Sequence, residues 1–301
     1  MERRSVFVTG ATGKVGRQLV AGLLDEGVEV SALVRRPSTA ALPAQVETVE
    51  GDLRRPETLA GAADGADAAF LLWPEFSSEG AADVVAALAG SVGHVVYLSS
   101  ARLQRGEVGA TEGVWSAVEQ LVEDAGVSRT FLRAGGFAAN TLAWADQIRA
   151  GDVVRLPHLA AARALVHERD LADVAVRALL DERYAGQALT LTGPEVLTQR
   201  QQVQAIGAAI GRPLRAEAVS PAVARDELAA EMGSDFAAAA IGHWASLIDD
   251  PERVSDDVEW VTGRAARRFQ EWASDHAGDF LAGGVELADG AAGVPDPSRG
   301  G

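Results

Sequence analysis

The feature that most constrains the fold of this chain is a set of three glycines spaced three residues apart, Gly10, Gly13 and Gly16. A short apolar run over residues 5–9 precedes them and has the composition of a buried parallel strand. From Val15 onward, apolar residues recur every four positions, which is helical spacing. The glycines therefore occupy a turn between a strand and a helix.

Each glycine has a function if this turn binds a dinucleotide. Gly10 permits the tight bend, Gly13 leaves space for a pyrophosphate, and Gly16 lets the helix press against the sheet. The amides of the first helical turn then point at the phosphates. The loop residues predicted to contact the cofactor are Gly10, Thr12, Gly13, Lys14, Val15 and Gly16. A tight turn without a ligand is the alternative, which the flanking strand and helix disfavour.

Strand-like and helix-like segments alternate along the first 135 residues. The strand-like segments after the first are residues 28–34, 46–49, 68–72, 95–98 and 130–132. The clearest helical pattern covers residues 114–125, where apolar residues recur at intervals of three and four. This alternation predicts an α/β fold, a doubly wound parallel sheet of the Rossmann type with helices on both faces.

The pattern changes after about residue 135 and predicts a smaller mixed C-terminal lobe. We expect a dinucleotide-binding core at residues 1–135 and a mainly substrate-binding lobe at residues 136–281, from which some strands return to the core. Residues 282–301 are rich in Gly, Ala, Asp and Pro with little to bury, which predicts a disordered tail.

Local patterns within the lobe give three further expectations. Residues 138–150 have a helical pattern, residues 164–166 are strand-like, and Asp170 is placed to cap the N-terminus of a helix. Beside Glu259 and Glu271, helical spacing predicts an exposed, salt-bridged face formed by Arg264, Arg267 and Arg268.

The end of the second strand selects between NAD and NADP. An acidic side chain there binds the ribose 2′-OH, whereas arginine accommodates a 2′-phosphate. This chain has Arg35 and Arg36 at that point and no acid, so NADP(H) is favoured over NAD(H). A pair of solvated loop arginines is the alternative.

Further cofactor contacts are expected at the carboxyl ends of the next strands, where ligands bind in open α/β sheets. Asp52 can accept a hydrogen bond from the adenine amino group, and Leu53 can pack on the ring, although a turn with a capping Asp is the alternative. The remaining strand-end residues predicted to contact the cofactor are Leu72, Trp73 and Ser99.

The composition limits the partners. A formal charge of −16 disfavours nucleic acid and anionic membranes. No apolar run approaches the ~20 residues of a membrane span. The chain has no cysteine, and its five histidines show no metal-ligand spacing, so no metal is predicted. Without an N-terminal leader pattern, we expect a cytoplasmic protein that acts on a small molecule, and a homodimer is compatible with the sequence.

Several short motifs occur in the order seen in the NmrA-like family of atypical short-chain dehydrogenase/reductases, which the chain resembles over residues 5–280. The motifs lie at residues 9–16, 33–37, 51–53, 97–100, 131–137 with the following Asn140, 166–172 and 258–264. The family includes NAD(P)H-dependent quinone and dye reductases and also dinucleotide-binding regulators without turnover. The resemblance implies a Rossmann fold and a nicotinamide cofactor.

The chain departs from most short-chain dehydrogenases, in which a Tyr-x-x-x-Lys pair delivers a proton. Lys14 is the only lysine, and Tyr97 and Tyr184 are the only tyrosines, so the pair cannot form. The helix on which it would lie offers instead Trp115, Ser116 and Glu119. Reduction of a quinone or another delocalised acceptor needs only proximity and orientation, with water supplying the proton.

Candidate site residues follow from the strand ends and the resemblance. The polar candidates near the nicotinamide are Ser99, Ser100 and Asn140, each with a structural alternative as a loop or capping residue. An aromatic acceptor pocket is predicted from Trp73, Phe76, Trp115, Phe137 and Trp144, with burial in the core as the alternative. His158 is either a late proton donor or a solvated loop residue.

These observations predict an NADPH-dependent reductase of an aromatic or quinone-like small molecule that lacks the tyrosine–lysine pair. Two alternatives stay open. One is a non-catalytic regulator that senses NADP(H) and binds a protein partner, and the other is a redox-silent member of a biosynthetic pathway.

Overall fold

The computed structural model describes residues 4–101 and 112–281. The strands are β1 (Ser5–Val8), β2 (Glu29–Val34), β3 (Glu47–Glu50), β4 (Ala68–Leu71), β5 (His94–Ser100), β6 (Ser128–Ala134), β7 (Val153–Leu156), β8 (Ala162–Arg163), β9 (Ala188–Leu191), β10 (Leu197–Thr198) and β11 (Arg215–Ala218). Seven of them form one parallel sheet in the order β3-β2-β1-β4-β5-β6-β9. The predicted disordered tail, residues 282–301, lies outside the described residues.

Helices cover both faces of this sheet. The helices are α1 (Lys14–Asp25), α2 (Ala81–Ser91), α3 (Glu112–Asp124), α4 (Ala145–Ala150), α5 (Glu168–Leu180), α6 (Gln199–Ala209), α7 (Pro221–Met232), α8 (Ser234–Asp249), α9 (Asp257–Thr262), α10 (Phe269–Asp275) and α11 (Ala277–Leu281). One apolar cluster joins the sheet to α1, α5 and α9, and a second joins its other face to α2 and α3. The predicted fold class, a doubly wound parallel sheet, is confirmed.

The strands are buried because their apolar side chains alternate between the two faces. Phe7 and Tyr97 point into the cluster beneath α2 and α3, whereas their neighbours Val8 and Leu98 point into the cluster beneath α1 and α5. All seven strands run parallel, so their carboxyl ends lie along one edge. The loops that follow β1, β2, β4, β5 and β6 therefore meet there.

Most of the chain after β6 forms a second body with its own apolar cluster. Strands β7 and β11 pair in parallel, β8 and β10 pair antiparallel, and α4, α6, α10 and α11 pack around Trp272. Strand β9 instead returns to the main sheet beside β6. Helices α7 and α8 form a hairpin at a turn through Gly233, and α7 buries none of its residues.

Two expectations for this part of the chain are wrong in detail. The predicted helix over residues 138–150 is a 3-10 helix (Ala138–Trp144) that continues as α4. Residues 164–166 are not a strand, because β8 ends at Arg163, and Val166 makes only an isolated bridge to Phe137.

Asp170 is not the N-cap of its helix, as the sequence had indicated. His167 occupies that position, and its Nδ1 accepts a hydrogen bond from the backbone N–H of Arg169 at 3.1 Å. Asp170 lies one turn inside α5, where its buried carboxylate pairs with the guanidinium of Arg267 and accepts the Arg267 backbone N–H at 2.7 Å. The Asp170 carboxylate is therefore occupied by a residue from a distant part of the chain and does not cap α5.

The three late arginines do not form a helical face. The chain between α9 and α10 is not helical, and Arg267 is only 21% exposed. Their carboxylate partners come from distant parts of the chain, namely Asp170, Asp173 and Glu195. The pairs of Arg264 and Arg267 hold the segment against the first turns of α5, and the pair of Arg268 holds it to the loop before β10.

A buried polar network joins α5 to the C-terminal helices. The Glu168 carboxylate accepts hydrogen bonds from the indole N–H of Trp272 at 3.0 Å and from Nε2 of His276 at 2.5 Å. Burial acts to raise the pKa of Glu168, but the neighbouring His167 and His276 rings outweigh it and hold that pKa well below its usual range. Burial acts to lower the pKa of His276, yet Glu168 and Asp279 raise it overall.

This network predicts a stability maximum in mildly acidic solution. A depressed carboxyl pKa stabilises the fold above about pH 4.3, the unfolded value, and this stabilisation is lost as the pH falls further. A raised histidine pKa stabilises the fold below about pH 6.5 and is lost as the pH rises through the folded value. In urea unfolding across pH, we expect the wild type to be most stable between these limits. In His276→Gln, the free energy of unfolding should fall less steeply as the pH rises above about 6.5. An unchanged slope in this range would contradict the role given to His276.

Candidate active site

The glycine loop between β1 and α1 has the geometry of a phosphate-binding turn. Gly10 has a left-handed φ of +67°, and its carbonyl accepts the N–H of Gly13 at 3.0 Å. Helix α1 begins at Lys14, and the first amides of any helix have no partner within the helix. No side chain caps them here, so they are available to an anion. These features fit a bound anion.

The loop glycines meet different surroundings. A Cβ on Gly16 would lie 2.1 Å from the carbonyl oxygen of Gly10, so this close approach is to the loop itself rather than to the sheet as expected. A Cβ on Gly13 would have only that same oxygen, at 3.3 Å, within 4 Å. The space above Gly13 is therefore open, which fits the predicted position of a pyrophosphate.

Thr9 fixes the loop against the neighbouring strand end. Its hydroxyl donates to the Phe70 carbonyl at 3.1 Å and accepts the backbone N–H of Leu72 at 2.8 Å. The Leu72 side chain lies 3.4 Å from where a Cβ on Gly10 would be. The structure thus brings Leu72 beside the glycine loop, as the cofactor prediction requires.

Uncompensated positive charge gathers at this end of the sheet. Most of the described arginines form an ion pair, such as Arg133 with Glu119 and Arg163 with Glu252. Within the described ranges, the side chains of Lys14, Arg35 and Arg36 make no hydrogen bond or ion pair, and both arginines are exposed. In a chain with a net charge of −16, this local excess favours a phosphate-bearing ligand.

Asp52 and Leu53 lie at the end of β3, beside the loop after β2. The Asp52 Oδ1 atom accepts the backbone N–H of Arg54 at 3.0 Å, which is the capping interaction held open as the alternative. Leu53 is 7% exposed and packs in the cluster under α2 and α3. One carboxylate oxygen of Asp52 remains for a ligand, whereas Leu53 offers little surface.

The polar candidates differ sharply in their environment. Ser99, near the carboxyl end of β5, is 4% exposed, and its hydroxyl has no hydrogen-bond partner among the described residues. Ser100 follows it at the strand end. Asn140 is exposed on the 3-10 helix, and its side chain makes no hydrogen bond to the described part of the chain. A buried hydroxyl without a partner is costly, so Ser99 has the stronger claim to a ligand.

Neither tyrosine can serve as a proton donor. Burial raises the pKa of Tyr97 far above its usual value, and the charge of Glu119 raises it further. The Tyr184 hydroxyl donates to the Val261 carbonyl at 3.2 Å. Glu119 is itself buried and accepts two hydrogen bonds from Arg133, at 3.0 and 2.6 Å, so it is not a free acid.

His158 is not the solvated loop residue that the sequence allowed. It has a positive φ of 52°, and its Nε2 is buried without a partner among the described residues. The buried amide of Gln199 holds this strained turn by donating to the carbonyls of Pro157 and His158, at 2.9 and 3.2 Å. A proton-donating role for His158 stays a prediction.

The five predicted pocket aromatics do not form one continuous wall. Trp73 is buried, and its indole N–H donates to the Ser77 carbonyl at 2.8 Å. Trp115, Phe137 and Trp144 pack against three different apolar clusters, and no two of the five rings stack on each other in the residues described. Phe76 is 40% exposed and meets a ring that the sequence analysis missed, that of Phe236, at a centroid distance of 5.2 Å.

The described residues, 4–101 and 112–281, contain neither a metal-binding cluster nor a membrane-spanning helix. No three His, Asp or Glu side chains come together as a metal site. None of the helices is long and apolar enough to cross a membrane.

The fold and the glycine loop define a dinucleotide-binding protein of the Rossmann class. The chain belongs to the NmrA-like family, whose profile matches residues 2–277. It is 36% identical over 288 residues to a (4-alkanoyl-5-oxo-2,5-dihydrofuran-3-yl)methyl phosphate reductase of Streptomyces griseus, covering 91% of this chain and 99% of the relative. It is 33% identical to an NAD(P)H azoreductase of Xenophilus azovorans, with 91% and 99% of the two chains covered.

Solved structures agree with the fold. The NADPH-dependent quinone oxidoreductase of Escherichia coli, complexed with NADPH, has a TM-score of 0.77 over 90% of this chain and 99% of its own, at 22% identity. The Citrobacter sp. triphenylmethane reductase, complexed with NADP(H), has a TM-score of 0.76 over 90% and 99%, also at 22% identity. The resemblance stated from the motifs is confirmed, and these relatives match the predicted class, NAD(P)H-dependent oxidoreductase.

Proposed function

We propose that this protein is an NADPH-dependent reductase that transfers hydride to a conjugated, delocalised small molecule such as a quinone or an aromatic dye. The observation that carries the proposal is the buried, unpartnered hydroxyl of Ser99 at the carboxyl edge of the sheet, next to an open glycine loop. The two reductases at 36% and 33% identity over nearly their whole length support the same activity.

The chain's own residues fit the cofactor. The open space above Gly13 and the amides of the first turn of α1 would hold the pyrophosphate, with Lys14 beside them. Arg35 and Arg36 are unpaired and stand where a 2′-phosphate would be neutralised, which favours NADP(H) over NAD(H). Asp52 keeps one free oxygen for the adenine or its ribose. When bound, NADPH supplies the hydride.

The residues around the acceptor then have two tasks. Ser99 can donate a hydrogen bond to the acceptor oxygen that gains negative charge, which is where a fixed donor helps most. The aromatic side chains near the strand ends orient the acceptor and exclude water. The one proton that completes the reduction comes from water, because burial makes Tyr97 a very weak acid, the Tyr184 hydroxyl donates to the Val261 carbonyl, and Glu119 is paired with Arg133.

This assignment predicts a specific effect of Ser99→Ala. Loss of one donor to a developing anion should lower kcat/KM for a quinone about 100-fold, with the affinity for NADPH nearly unchanged. Ser274→Ala, on the exposed side of α10 in the second body, is the matched control. Equal loss of NADPH affinity in Ser99→Ala would move Ser99 from the acceptor to the cofactor.

The decisive experiment begins with calorimetric titration of the protein with NADPH and, for comparison, NADH. Turnover is then measured on a panel of quinones, azo dyes and unsaturated lactones. NADPH-specific binding with reduction of any of these acceptors supports the proposal. Tight NADPH binding with no turnover of any acceptor in the panel would favour the alternative function, a non-catalytic regulator that senses NADP(H). The missing tyrosine–lysine proton donor is the observation that supports this alternative. Binding of neither nucleotide would remove both functions.

A further inference from the structure

Helix α8 is anchored on both sides of the carboxyl edge of the sheet. Just beyond its C-terminus, Glu252 accepts a hydrogen bond from Nε of Arg163 at 2.9 Å, and that guanidinium lies against Gly136 after β6. Near its N-terminus, Phe236 meets Phe76 in the loop after β4. Sixteen helical residues span ~24 Å, whereas β4 and β6 are separated by only ~10 Å. These two contacts tie α8 to the loops after β4 and β6, and β5 is the strand between those two.

The inner face of α8 is apolar and aromatic. Its buried or half-buried side chains follow helical spacing and include Phe236, Ala237, Ala240, Ile241, His243, Trp244 and Leu247. The buried members of this face belong to none of the three main apolar clusters of the described residues. Helix α7 packs against α8 as its hairpin partner but buries none of its own residues, so this face of α8 is not part of the core of the sheet.

Ser99 is near the carboxyl end of β5, and β5 is the strand between β4 and β6 in the sheet. At the Phe76 end, Arg54 and Glu75 neutralise each other in an ion pair, and the Asp235 carboxylate before Phe236 is exposed to solvent. A face without an unpaired charge, lined with rings, suits an uncharged or charge-delocalised planar molecule better than a compact ion.

We propose that α8 is the roof of the acceptor site and that the Phe76–Phe236 pair determines which acceptors fit. The inference rests on the proposed reductase function and adds to it a pair of specificity-determining residues. Phe76 reaches from the β4 loop and Phe236 from the roof, so their contact closes one end of the space above Ser99. A small planar quinone packs against this pair, whereas a three-ringed dye is limited by it.

Removing one ring should change acceptor preference without changing cofactor binding. We expect Phe236→Ala to weaken binding of menadione about fivefold, because an aromatic contact is lost. The same variant should bind malachite green at least as tightly as the wild type does, because the space above Ser99 is longer. Phe236→Tyr keeps the ring and should restore the preference of the wild type.

The experiment measures dissociation constants of menadione and malachite green in the presence of NADP+, together with KM and kcat for each. Phe76→Ala should reproduce Phe236→Ala, and the double variant should add little. Val223→Ala on the exposed surface of α7 is the matched control. Thermal unfolding of each variant reports whether the fold is intact.

The outcomes separate the two proposals. A shifted ratio of the two dissociation constants supports the roof even if the wild type turns over neither compound, in which case the reductase function alone fails. Turnover by the wild type with an unchanged ratio in Phe236→Ala and Phe76→Ala overturns the roof and leaves the reductase standing. Equal weakening of both ligands would likewise overturn the size-selecting role.

Discussion

Replacing Gly13 by valine is expected to abolish NADPH binding while leaving the protein folded. Apart from the chain neighbours, the one atom of the described residues within 4 Å of a Cβ at this position is the Gly10 carbonyl oxygen, in a tight contact at 3.3 Å, and the backbone φ of −77° suits any L-residue. The added methyl groups would then project into the space assigned to the pyrophosphate. We expect a loss of affinity of at least about 100-fold in calorimetric titration, the scale of losing several charge-assisted hydrogen bonds.

Gly16→Ala makes the matched comparison. Its Cβ would lie 2.1 Å from the Gly10 carbonyl oxygen, so the loop must move and the fold loses stability as well as the ligand. Gly90→Ala, in α2 with open space around it, should leave binding unchanged and slightly raise the melting temperature. NADPH affinity in Gly13→Val equal to that of the wild type would show that the phosphates bind elsewhere.

Local patterns in the sequence were sufficient to predict the main elements of the fold. The period of the apolar residues after Gly16 matches α1, and the strand-like runs in the first 135 residues matched β1 to β6 within a few residues. Those patterns are local, because alternation and helical spacing depend on neighbouring residues. Parallel strands place all their carboxyl ends along one edge of the sheet. The sequence could therefore also predict that Ser99 and Arg35, at the ends of two such strands, lie along that edge.

Contacts between distant segments could not be predicted in this way. Asp170 and Arg267 are 97 residues apart, and nothing local indicates that Asp170 pairs with Arg267 while His167 caps α5. Phe236 stands in an alanine-rich helix with no motif around it, and only the tertiary fold brings it to Phe76. The aromatic pocket stays a prediction, because Trp115, Phe137 and Trp144 pack against three different apolar clusters and local sequence gives no indication of that.

Replacing Arg35 by aspartate is expected to invert the cofactor preference. The Arg35 side chain is exposed and has no partner in the described part of the chain, so its loss leaves no buried charge behind. It would remove a charge-assisted contact to the 2′-phosphate and place a carboxylate where the 2′-OH of NAD can donate to it. We expect the ratio of NADH to NADPH dissociation constants to fall about 100-fold.

A matched variant separates this contact from the general effect of charge. Arg200 is likewise exposed and unpaired among the described residues, but it lies on α6 in the second body, so Arg200→Asp makes the same change in net charge away from the loop. We expect the ratio of NADH to NADPH dissociation constants in Arg200→Asp to match that of the wild type, because solvent and salt screen distant surface charges. If Arg35→Asp leaves the ratio unchanged and Arg36→Asp inverts it, the second arginine makes the contact. If both single variants and the double variant keep the preference, selection must come from the uncharged part of the loop, and the arginines are ordinary solvated side chains.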